Sequence, residues 1–399
     1  MSGATIERAS PPQGLGADRL DRLAQAFQAE VDRQRLPGAT LLVGRGGQPD
    51  WVTSLGVQNP ETGVPMAPDS IFRIYSMTKP LVSVAVLMLM EQGRVLLREP
   101  VSRYLPEFAN QQVSVDGPDG TTLVPVRRAA TVQDLLRHTA GLTYEFLGAS
   151  PLHQQLGKVA AASRKQTNAE FIPELAAVPL LLQPGSAWEY SRATDVLGRL
   201  VEVVTGQTLG DWLQQNIFGP LGMTDTAFRL PAGKLDRVAE PFAHDPDGGV
   251  AMRVFSASSP SPLDMGGGGL FSTAPDYARF LRCLLGRGSV DDVRLLAPHT
   301  VDFMTADHLG PIPVNPGASR DLLGPGFGFG LGVAVRTHLG QSAEPGPVGL
   351  YYWGGLAGTA FFVDPANGLY AVLMVQAPNQ REEYRALFRQ MVYASVLDA

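Results

Sequence analysis

Length, composition and charge exclude several classes of protein for this chain. Its 399 residues are 44% hydrophobic and 18% charged, which is ordinary for a globular protein of one large or two moderate domains. The formal net charge of −6 and the lack of basic runs argue against nucleic acid or an anionic membrane as a partner, because both need a basic surface patch.

The sequence also bears on cellular location. The chain has a single cysteine, Cys283, so no intrachain disulfide can form, and this fits a reducing compartment. Residues 1–8 lack the charged, then apolar, then small-residue order of a secretory signal. The longest apolar run, residues 81–90, is about half of the ~20 residues that a membrane helix needs. We therefore expect a cytoplasmic protein without a membrane partner.

The first quarter of the chain predicts a helix, two strands and a second helix. Apolar residues at helical spacing predict a helix over 18–35. Apolar runs at 39–44 and 51–55, separated by a glycine-rich turn, predict two strands. The apolar run 81–90 follows Ser76 and predicts a helix that begins at this serine.

The middle of the chain, residues 96–228, is predicted to be mainly helical with long loops. Thr131 is a plausible N-cap for a short helix, because its hydroxyl can accept a hydrogen bond from a free backbone N–H group. The stretch 256–269 is rich in Pro, Gly and Ser and predicts a loop. The helices expected in and after this block are 131–136, 195–204, 208–216 and 274–285.

The last part of the chain predicts strands followed by a helix over 382–397. Short turns join consecutive strands, which makes neighbouring strands antiparallel. The predicted strands are 327–335, 350–353, 359–363 and 369–375.

This order predicts an α+β fold. One antiparallel sheet is built from both ends of the chain and flanked by N- and C-terminal helices, with a helical domain inserted between them. The predicted division places residues 1–95 and 230–399 in an α/β domain and residues 96–229 in the helical domain. An active site is expected in the cleft between the two parts.

Ser76 and Lys79 form the first chemical motif. Residues three apart share one face of a helix, so the Lys79 amine can reach the Ser76 hydroxyl. A Ser–Lys pair is one way to make a weak hydroxyl nucleophilic. The chain has only four lysines, which makes this spacing notable. The alternative is a surface lysine behind a serine that caps the helix.

Two further motifs lie downstream. Tyr190 follows a turn and precedes a predicted helix, where its hydroxyl can act as a general acid or base; the alternative is a packing residue. Trp353-Gly354-Gly355 places two glycines on a predicted edge strand, where free N–H groups can stabilise an oxyanion. The alternative there is a β-bulge without a ligand.

Together these motifs resemble the serine β-lactamase and penicillin-binding-protein superfamily, whose signature is Ser-x-x-Lys. From about residue 17 to 395, the chain is most similar to family VIII carboxylesterases, relatives of class C β-lactamases. The segment from His138 to Leu142 looks like the His-Thr-Ser-Gly-Leu segment of this group. Trp353 stands where β-lactamases carry the lysine of Lys-Thr-Gly, and Trp-Gly-Gly is characteristic of the esterases.

The resemblance implies a β-lactamase-like serine hydrolase fold and a set of site residues. Ser76 is the expected nucleophile, and Lys79 and Tyr190 are the groups expected to move its proton. The backbone N–H groups of Ser76 and Leu356 would form the oxyanion hole. Substrate-binding residues are expected at Tyr144, Trp353, Gly354 and Gly355.

Two departures from the β-lactamase pattern point to esters as substrates. Arg192 takes the Asn place of Tyr-x-Asn, and Trp353 replaces the lysine of Lys-Thr-Gly; both lost groups help to hold a β-lactam. The resemblance therefore implies a carboxylesterase acting on short to medium acyl esters through an acyl-enzyme. The alternatives are an acyltransferase that passes the acyl group to an alcohol, a weak β-lactamase or D-Ala-D-Ala peptidase, and a non-catalytic binding module.

No metal or cofactor is expected. The six histidines lack metal-ligand spacing, and the glycine-rich stretch 324–332 does not match a phosphate-binding loop. His138 is predicted to be a structural hydrogen-bonding residue rather than a catalytic base. The sequence leaves open whether Lys79 or Tyr190 is the base, and also the oligomeric state.

Overall fold

Strands from both ends of the chain form one sheet in the computed structural model, which describes residues 11–117 and 120–398. The N-terminal stretch 1–8, discussed above as lacking a signal, lies outside the described residues. The strands are β1 (Gly38–Arg45), β2 (Trp51–Asn59), β3 (Val64–Pro65), β4 (Phe72–Arg73), β5 (Gln112–Gly117), β6 (Gly120–Pro125), β7 (Phe271–Ser272), β8 (Ser289–Val290), β9 (Val293–Arg294), β10 (Phe327–Phe329), β11 (Ala334–Arg336), β12 (Tyr351–Gly354), β13 (Ala360–Asp364) and β14 (Leu369–Val375).

Helices surround this sheet and fill the middle of the chain. In the described part of the chain, no helix is both long enough and apolar enough to span a membrane. The α-helices are α1 (Ala17–Asp32), α2 (Thr78–Glu91), α3 (Val132–Leu136), α4 (Pro151–Ser163), α5 (Asn168–Ala176), α6 (Ala193–Thr205), α7 (Leu209–Leu213), α8 (Gly219–Leu221), α9 (Ala274–Leu285), α10 (Pro298–Met304), α11 (Ala318–Leu323) and α12 (Arg381–Ser395).

The main sheet has eight strands in the order β10-β11-β12-β13-β14-β1-β2-β3, and its neighbouring strands are antiparallel. The two ends of the chain meet where β14 pairs with β1, from Ala39 opposite Val375 to Arg45 opposite Leu369. Helices α1 and α12 pack together on the sheet. The predicted α+β fold with one antiparallel sheet and flanking terminal helices is confirmed.

The central strand β14 is apolar along its whole length because both of its faces are buried. Leu373 and Val375 belong to the core under α1 and α12. Val372 and Met374 point the other way, into the larger core that contains residues of α2, α6 and α9. Successive strand residues face opposite sides of a sheet, so the two cores divide β14 between them.

The prediction of one strand over 327–335 is wrong. The segment forms two strands, β10 and β11, joined by a turn in which Gly330 N donates to Val333 O at 2.8 Å. Gly332 has φ +99°, and a Cβ there would lie 2.2 Å from Ser83 Oγ of α2. The turn therefore needs glycine for its backbone conformation and for its close approach to α2.

The middle block, predicted to be mainly helical with long loops, also contains strands. It contains the antiparallel hairpin β5–β6, with Val113 opposite Val124. The predicted helix 208–216 is α7, which continues into a π-helical turn, Gln214–Phe218. The domain boundaries predicted at 95/96 and 229/230 stay a prediction.

A buried carboxylate fixes the start of α3. Asp134 completes a capping box with Thr131, as Asp134 N donates to Thr131 Oγ1 and Thr131 N donates to Asp134 Oδ2. Arg128 and Arg137 donate to the same carboxylate, and so does Thr139 Oγ1, at 2.8 Å. Burial alone would raise the pKa of Asp134, but hydrogen bonds from Arg128, from Thr131 N and from Arg137 lower the pKa to about 2.

We predict that Asp134→Asn lowers the free energy of unfolding by about 2 kcal/mol at neutral pH, from a pKa lowered by almost two units. Because the folded pKa lies below that of an unfolded aspartate, this stabilisation is complete above about pH 4 and is lost as the pH falls towards 2. Urea denaturation of both proteins should therefore show a difference that shrinks in acid. Asp302→Asn, at a half-exposed pair with Arg287, is the control and should cost clearly less, because water and salt screen an exposed ion pair. A difference for Asp134→Asn that does not change with pH would contradict this prediction.

Candidate active site

Ser76 lies in a 3₁₀ turn, Tyr75–Met77, directly before α2. The helix begins at Thr78, two residues after the start predicted from sequence. Tyr75 has φ 43°, a left-handed conformation that is strained for an aromatic residue. Ser76 is partly exposed while its neighbours Tyr75 and Met77 are buried, so this turn brings the hydroxyl to a surface that a substrate can reach.

Lys79, in the first turn of α2, is completely buried. Its Nζ donates to Ser76 Oγ at 3.2 Å, to Tyr144 OH at 2.9 Å and to the Gly267 carbonyl oxygen at 2.5 Å. The alternative of a surface lysine is therefore wrong. Three acceptors match the three N–H groups that a lysine ammonium can donate.

Tyr190 lies on the other side of the Ser76 hydroxyl. Tyr190 OH donates to Ser76 Oγ at 2.7 Å, and Trp353 Nε1 donates to Tyr190 OH at 3.4 Å. The Lys79 nitrogen lies 4.7 Å from the centre of the Tyr190 ring. The structure thus brings Ser76, Lys79, Tyr190 and Trp353 together from three separate parts of the chain.

The segment around His138 holds the tyrosine in place. Glu189 N donates to His138 O at 2.9 Å, and the His138 ring lies 5.0 Å from the Tyr190 ring. His138 Nδ1 and Ser191 Oγ are hydrogen-bonded at 3.0 Å. Burial, and then the charge of Lys79, lower the pKa of His138 well below its usual value, so the imidazole is neutral. These contacts support the structural role predicted for His138.

The turn after β12 approaches the Ser76 segment closely. A Cβ on Gly355 would lie 2.3 Å from Ile74 O, and Thr359 Oγ1 donates to Ile74 O at 3.4 Å. Gly358 N donates to Gly355 O at 3.0 Å, which places Leu356 second in a β-turn. Among the described residues, nothing accepts a hydrogen bond from Leu356 N, and its part in an oxyanion hole stays a prediction.

The strand β12 is not an edge strand, which corrects the sequence-based expectation. It lies between β11 and β13. However, β11 pairs only with Tyr351 and Tyr352, so Trp353 and Gly354 extend beyond it. A Cβ on Gly354 would lie 2.7 Å from the Arg385 guanidinium carbon. The Arg385 guanidinium therefore fills the space beside Gly354, and substrate contacts by Gly354, Gly355 and Trp353 stay predictions.

Tyr144, predicted as a pocket wall, is mostly buried with its hydroxyl on Lys79. The exposed ring of Phe146 stacks on the Tyr144 ring, with their centres 4.8 Å apart. Burial, followed by the charges of Tyr190 and Asp195, raises the pKa of Tyr144 well above its usual value. Tyr144 is therefore a neutral phenol that accepts a hydrogen bond from Lys79, and its contact with substrate stays a prediction.

Sequence reasoning did not find the residues that hold the hydrogen-bond acceptors of Lys79 in place. Gly267 N donates to Asp195 Oδ1 at 2.7 Å, while Gly267 O accepts from Lys79. Arg192 forms ion pairs with Asp195 at 3.3 Å and Glu145 at 2.7 Å. The signals in the sequence are the run of four glycines at 266–269, which by itself predicts only a loop, and Arg192 in the Asn place.

Two other features of the described residues bear on ligands. A groove of about 740 Å³ runs beside α11 and is lined by residues that include Val314, Arg320 and Phe327, but not Ser76 or Lys79. We therefore place the candidate site at Ser76, Lys79 and Tyr190 and not in this groove. Within residues 11–117 and 120–398, no group of three or more His, Cys, Asp or Glu side chains is placed to hold a metal ion.

Comparisons with known proteins agree with this geometry. Residues 23–394 match the family model described as Beta-lactamase. The chain is 33% identical over 375 residues to Esterase EstB of Burkholderia gladioli, covering 88% of this chain and 89% of that protein. It is 30% identical over 389 residues to the monacolin J acid methylbutanoyltransferase of Aspergillus terreus, covering 90% and 91%.

Solved structures share the fold over nearly the whole chain. The structure of EstCE1, described as a hydrolase with promiscuous acyltransferase activity, superposes with a TM-score of 0.78 at 27% identity. This match covers 94% of the chain and 98% of EstCE1.

Proposed function

This chain belongs to the Beta-lactamase family and is a carboxylic ester hydrolase of the serine type, and we propose that it hydrolyses short to medium acyl esters through a covalent acyl-enzyme on Ser76. The observation that supports this proposal most directly is the position of Ser76 Oγ, 3.2 Å from Lys79 Nζ and 2.7 Å from Tyr190 OH. A hydroxyl between two groups that can exchange protons is the arrangement that an activated serine needs.

The first chemical step is attack of Ser76 Oγ on the ester carbonyl carbon. Lys79 or Tyr190 must first lose its own proton to solvent, and the deprotonated group then accepts the Oγ proton. Both lie within hydrogen-bond distance of Ser76 Oγ, and the proposal keeps both as candidates for the base. The carbonyl oxygen becomes an oxyanion. The Ser76 and Leu356 N–H groups are the proposed donors to it, because the turn after β12 lies against the Ser76 segment.

The tetrahedral intermediate then collapses and the leaving alkoxide must be protonated. Tyr190 is the proposed donor, since its hydroxyl lies 2.7 Å from Ser76 Oγ and therefore next to the bond that breaks. The proton taken from Ser76 thus leaves with the alcohol, either directly from Tyr190 or after Lys79 has reprotonated Tyr190. A water molecule next attacks the acyl-enzyme carbonyl. The same groups act in reverse, so the proton from water passes to the base and Ser76 leaves as the alcohol.

The structure supports esters over β-lactams at Arg192. The residue occupies the Asn place of Tyr-x-Asn, but its guanidinium is held by Glu145 and Asp195 and is largely buried. It therefore cannot take the place of an amide that would face a β-lactam. Trp353 directs its indole N–H to Tyr190 and supplies no positive charge for a carboxylate.

Acyl transfer is the second candidate function, because EstCE1 and the Aspergillus enzyme are both described by transferase activity. An acyl-enzyme on Ser76 can react with an alcohol as well as with water, so the two activities share their first step. A cytoplasmic location is also proposed; the buried, unpaired Cys283 supports it.

We predict that the protein releases p-nitrophenol from p-nitrophenyl butyrate in buffer alone, and that an added alcohol changes this rate less than tenfold. Chromatography of the products should show butyrate as the main product in buffer. Negligible release without the alcohol would replace the esterase by the transferase. Nitrocefin serves as the comparison substrate, and faster turnover of nitrocefin than of the ester would contradict the assignment to esters.

We predict that Leu356→Pro lowers kcat roughly 100- to 1,000-fold, the usual cost of removing one oxyanion donor. Proline suits the second position of a β-turn and removes only the N–H group, so the turn can keep its shape. Leu356→Ala keeps the N–H group and is the matched control, with kcat within about threefold of wild type. Equal losses in the two variants would assign the effect to the side chain and contradict the proposed oxyanion hole.

A further inference from the structure

Three charged side chains form a compact network behind Lys79. The Arg192 side chain is 7% exposed and pairs with Asp195, which is 1% exposed, and with Glu145. Resting on the proposed function, we propose that Arg192, Asp195 and Glu145 are positioning residues of the acylation step, which hold Lys79 in place through Gly267 and Tyr144 and set the local charge around it.

The first route runs through Gly267. Asp195 Oδ1 accepts from Gly267 N at 2.7 Å, and the carbonyl oxygen of the same residue accepts from Lys79 Nζ. A Cβ on Gly267 would lie 2.9 Å from both Asp195 Oδ1 and Tyr144 OH. A side chain at residue 267 would have to displace Asp195 or Tyr144, so the backbone of Gly267 fits closely between them and the position of Asp195 fixes an acceptor of Lys79.

The second route runs through Tyr144. Arg192 donates two hydrogen bonds to the carboxylate of Glu145, at 3.0 and 2.7 Å. Its guanidinium carbon also lies 5.2 Å from the centre of the Tyr144 ring. Arg192 thereby holds both Tyr144 and the residue next to it, and Tyr144 OH is the second acceptor of Lys79.

The network contains both signs of charge. Burial alone would lower the pKa of Arg192, but the Asp195 and Glu145 carboxylates outweigh it and raise the pKa above its usual value. Arg192 therefore stays charged.

Apart from the charged network, the groups that contact Lys79 directly and can exchange protons are Ser76, Tyr144 and Tyr190. The neutral His138 ring packs against the Tyr190 ring. Removing one charge from the network changes the field at the cluster of Ser76, Lys79 and Tyr190. Loss of a proton from this cluster becomes easier when a negative charge is removed and harder when a positive charge is removed.

The alternative is that the network only stabilises the fold, as buried ion pairs can. A structural role predicts lower stability and lower activity in every variant. It does not predict a change in the pH dependence whose sign follows the charge removed. The acidic limb of the pH profile of kcat/KM reports the group that must lose a proton to activate Ser76, and therefore separates the two interpretations.

We expect Asp195→Asn and Glu145→Gln, which each remove a negative charge, to move the midpoint of this acidic limb to lower pH by roughly half to one unit. Arg192→Gln should move it to higher pH by a similar amount. All three should lower kcat more than they raise KM, since substrate is not expected to touch these side chains. Arg192→Lys keeps the charge, and its midpoint should stay at the wild-type value.

The measurement is a set of pH profiles for p-nitrophenyl butyrate hydrolysis, with the melting temperature of each variant recorded beside them. Glu145 is partly exposed and Asp195→Asn is isosteric, so these variants keep the test available if Arg192→Gln does not fold. Lower activity with unmoved midpoints would overturn the proposal and leave a structural role. Failure of the wild-type protein to hydrolyse the ester would instead overturn the proposed function.

Discussion

The complete burial of Lys79 is the constraint on which the rest of the site depends. A lysine nitrogen without access to water must place its N–H groups on protein acceptors, because each unpaired buried donor costs about 1–3 kcal/mol. Lys79 finds these acceptors in Ser76, Tyr144 and Gly267, which lie far apart in sequence. The fold must therefore bring three segments to one nitrogen, and the same contacts place that nitrogen beside a partly exposed hydroxyl.

The architecture meets this constraint with few elements. The sheet supplies β12 and the turn at Gly355, which lies against the backbone before Ser76. The segment that begins after the capping box of α3 supplies His138 and, further on, Tyr144, and it pairs through backbone hydrogen bonds with the segment that carries Tyr190. Because each part is tied to its neighbour by main-chain contacts, the hydroxyl, amine and phenol are placed before any substrate arrives, which is the preorganisation that catalysis requires.

The sequence predicted correctly the helices and strands that are determined by residues close together in the chain. The apolar strand β14, predicted over 369–375, and the helix α9, predicted over 274–285, are both found where the sequence placed them. The predicted single strand over 327–335 failed because its break depends on contact between Gly332 and Ser83 of α2, more than 200 residues away in sequence.

The residues of the site also fall into two groups, those that a sequence motif indicated and those that only the folded chain brings together. Ser76, Lys79 and Tyr190 come together as the resemblance implied, although their catalytic roles stay predictions. Arg192 was recognised only as a departure from a family pattern. Its partners Glu145 and Asp195, and the fit of Gly267 between Asp195 and Tyr144, exist only in the folded chain and have no signature in spacing or composition.

The central claim is that Ser76 is the nucleophile, and covalent labelling tests it most directly. A fluorophosphonate should add once to the wild-type protein with loss of fluoride, and peptide mass spectrometry should place the adduct on Ser76. Ser76→Ala should neither label nor hydrolyse p-nitrophenyl butyrate, while Ser83→Ala, at a buried serine of α2, should label as wild type does. An adduct on another residue, or ester hydrolysis by Ser76→Ala at the wild-type rate, would contradict the account.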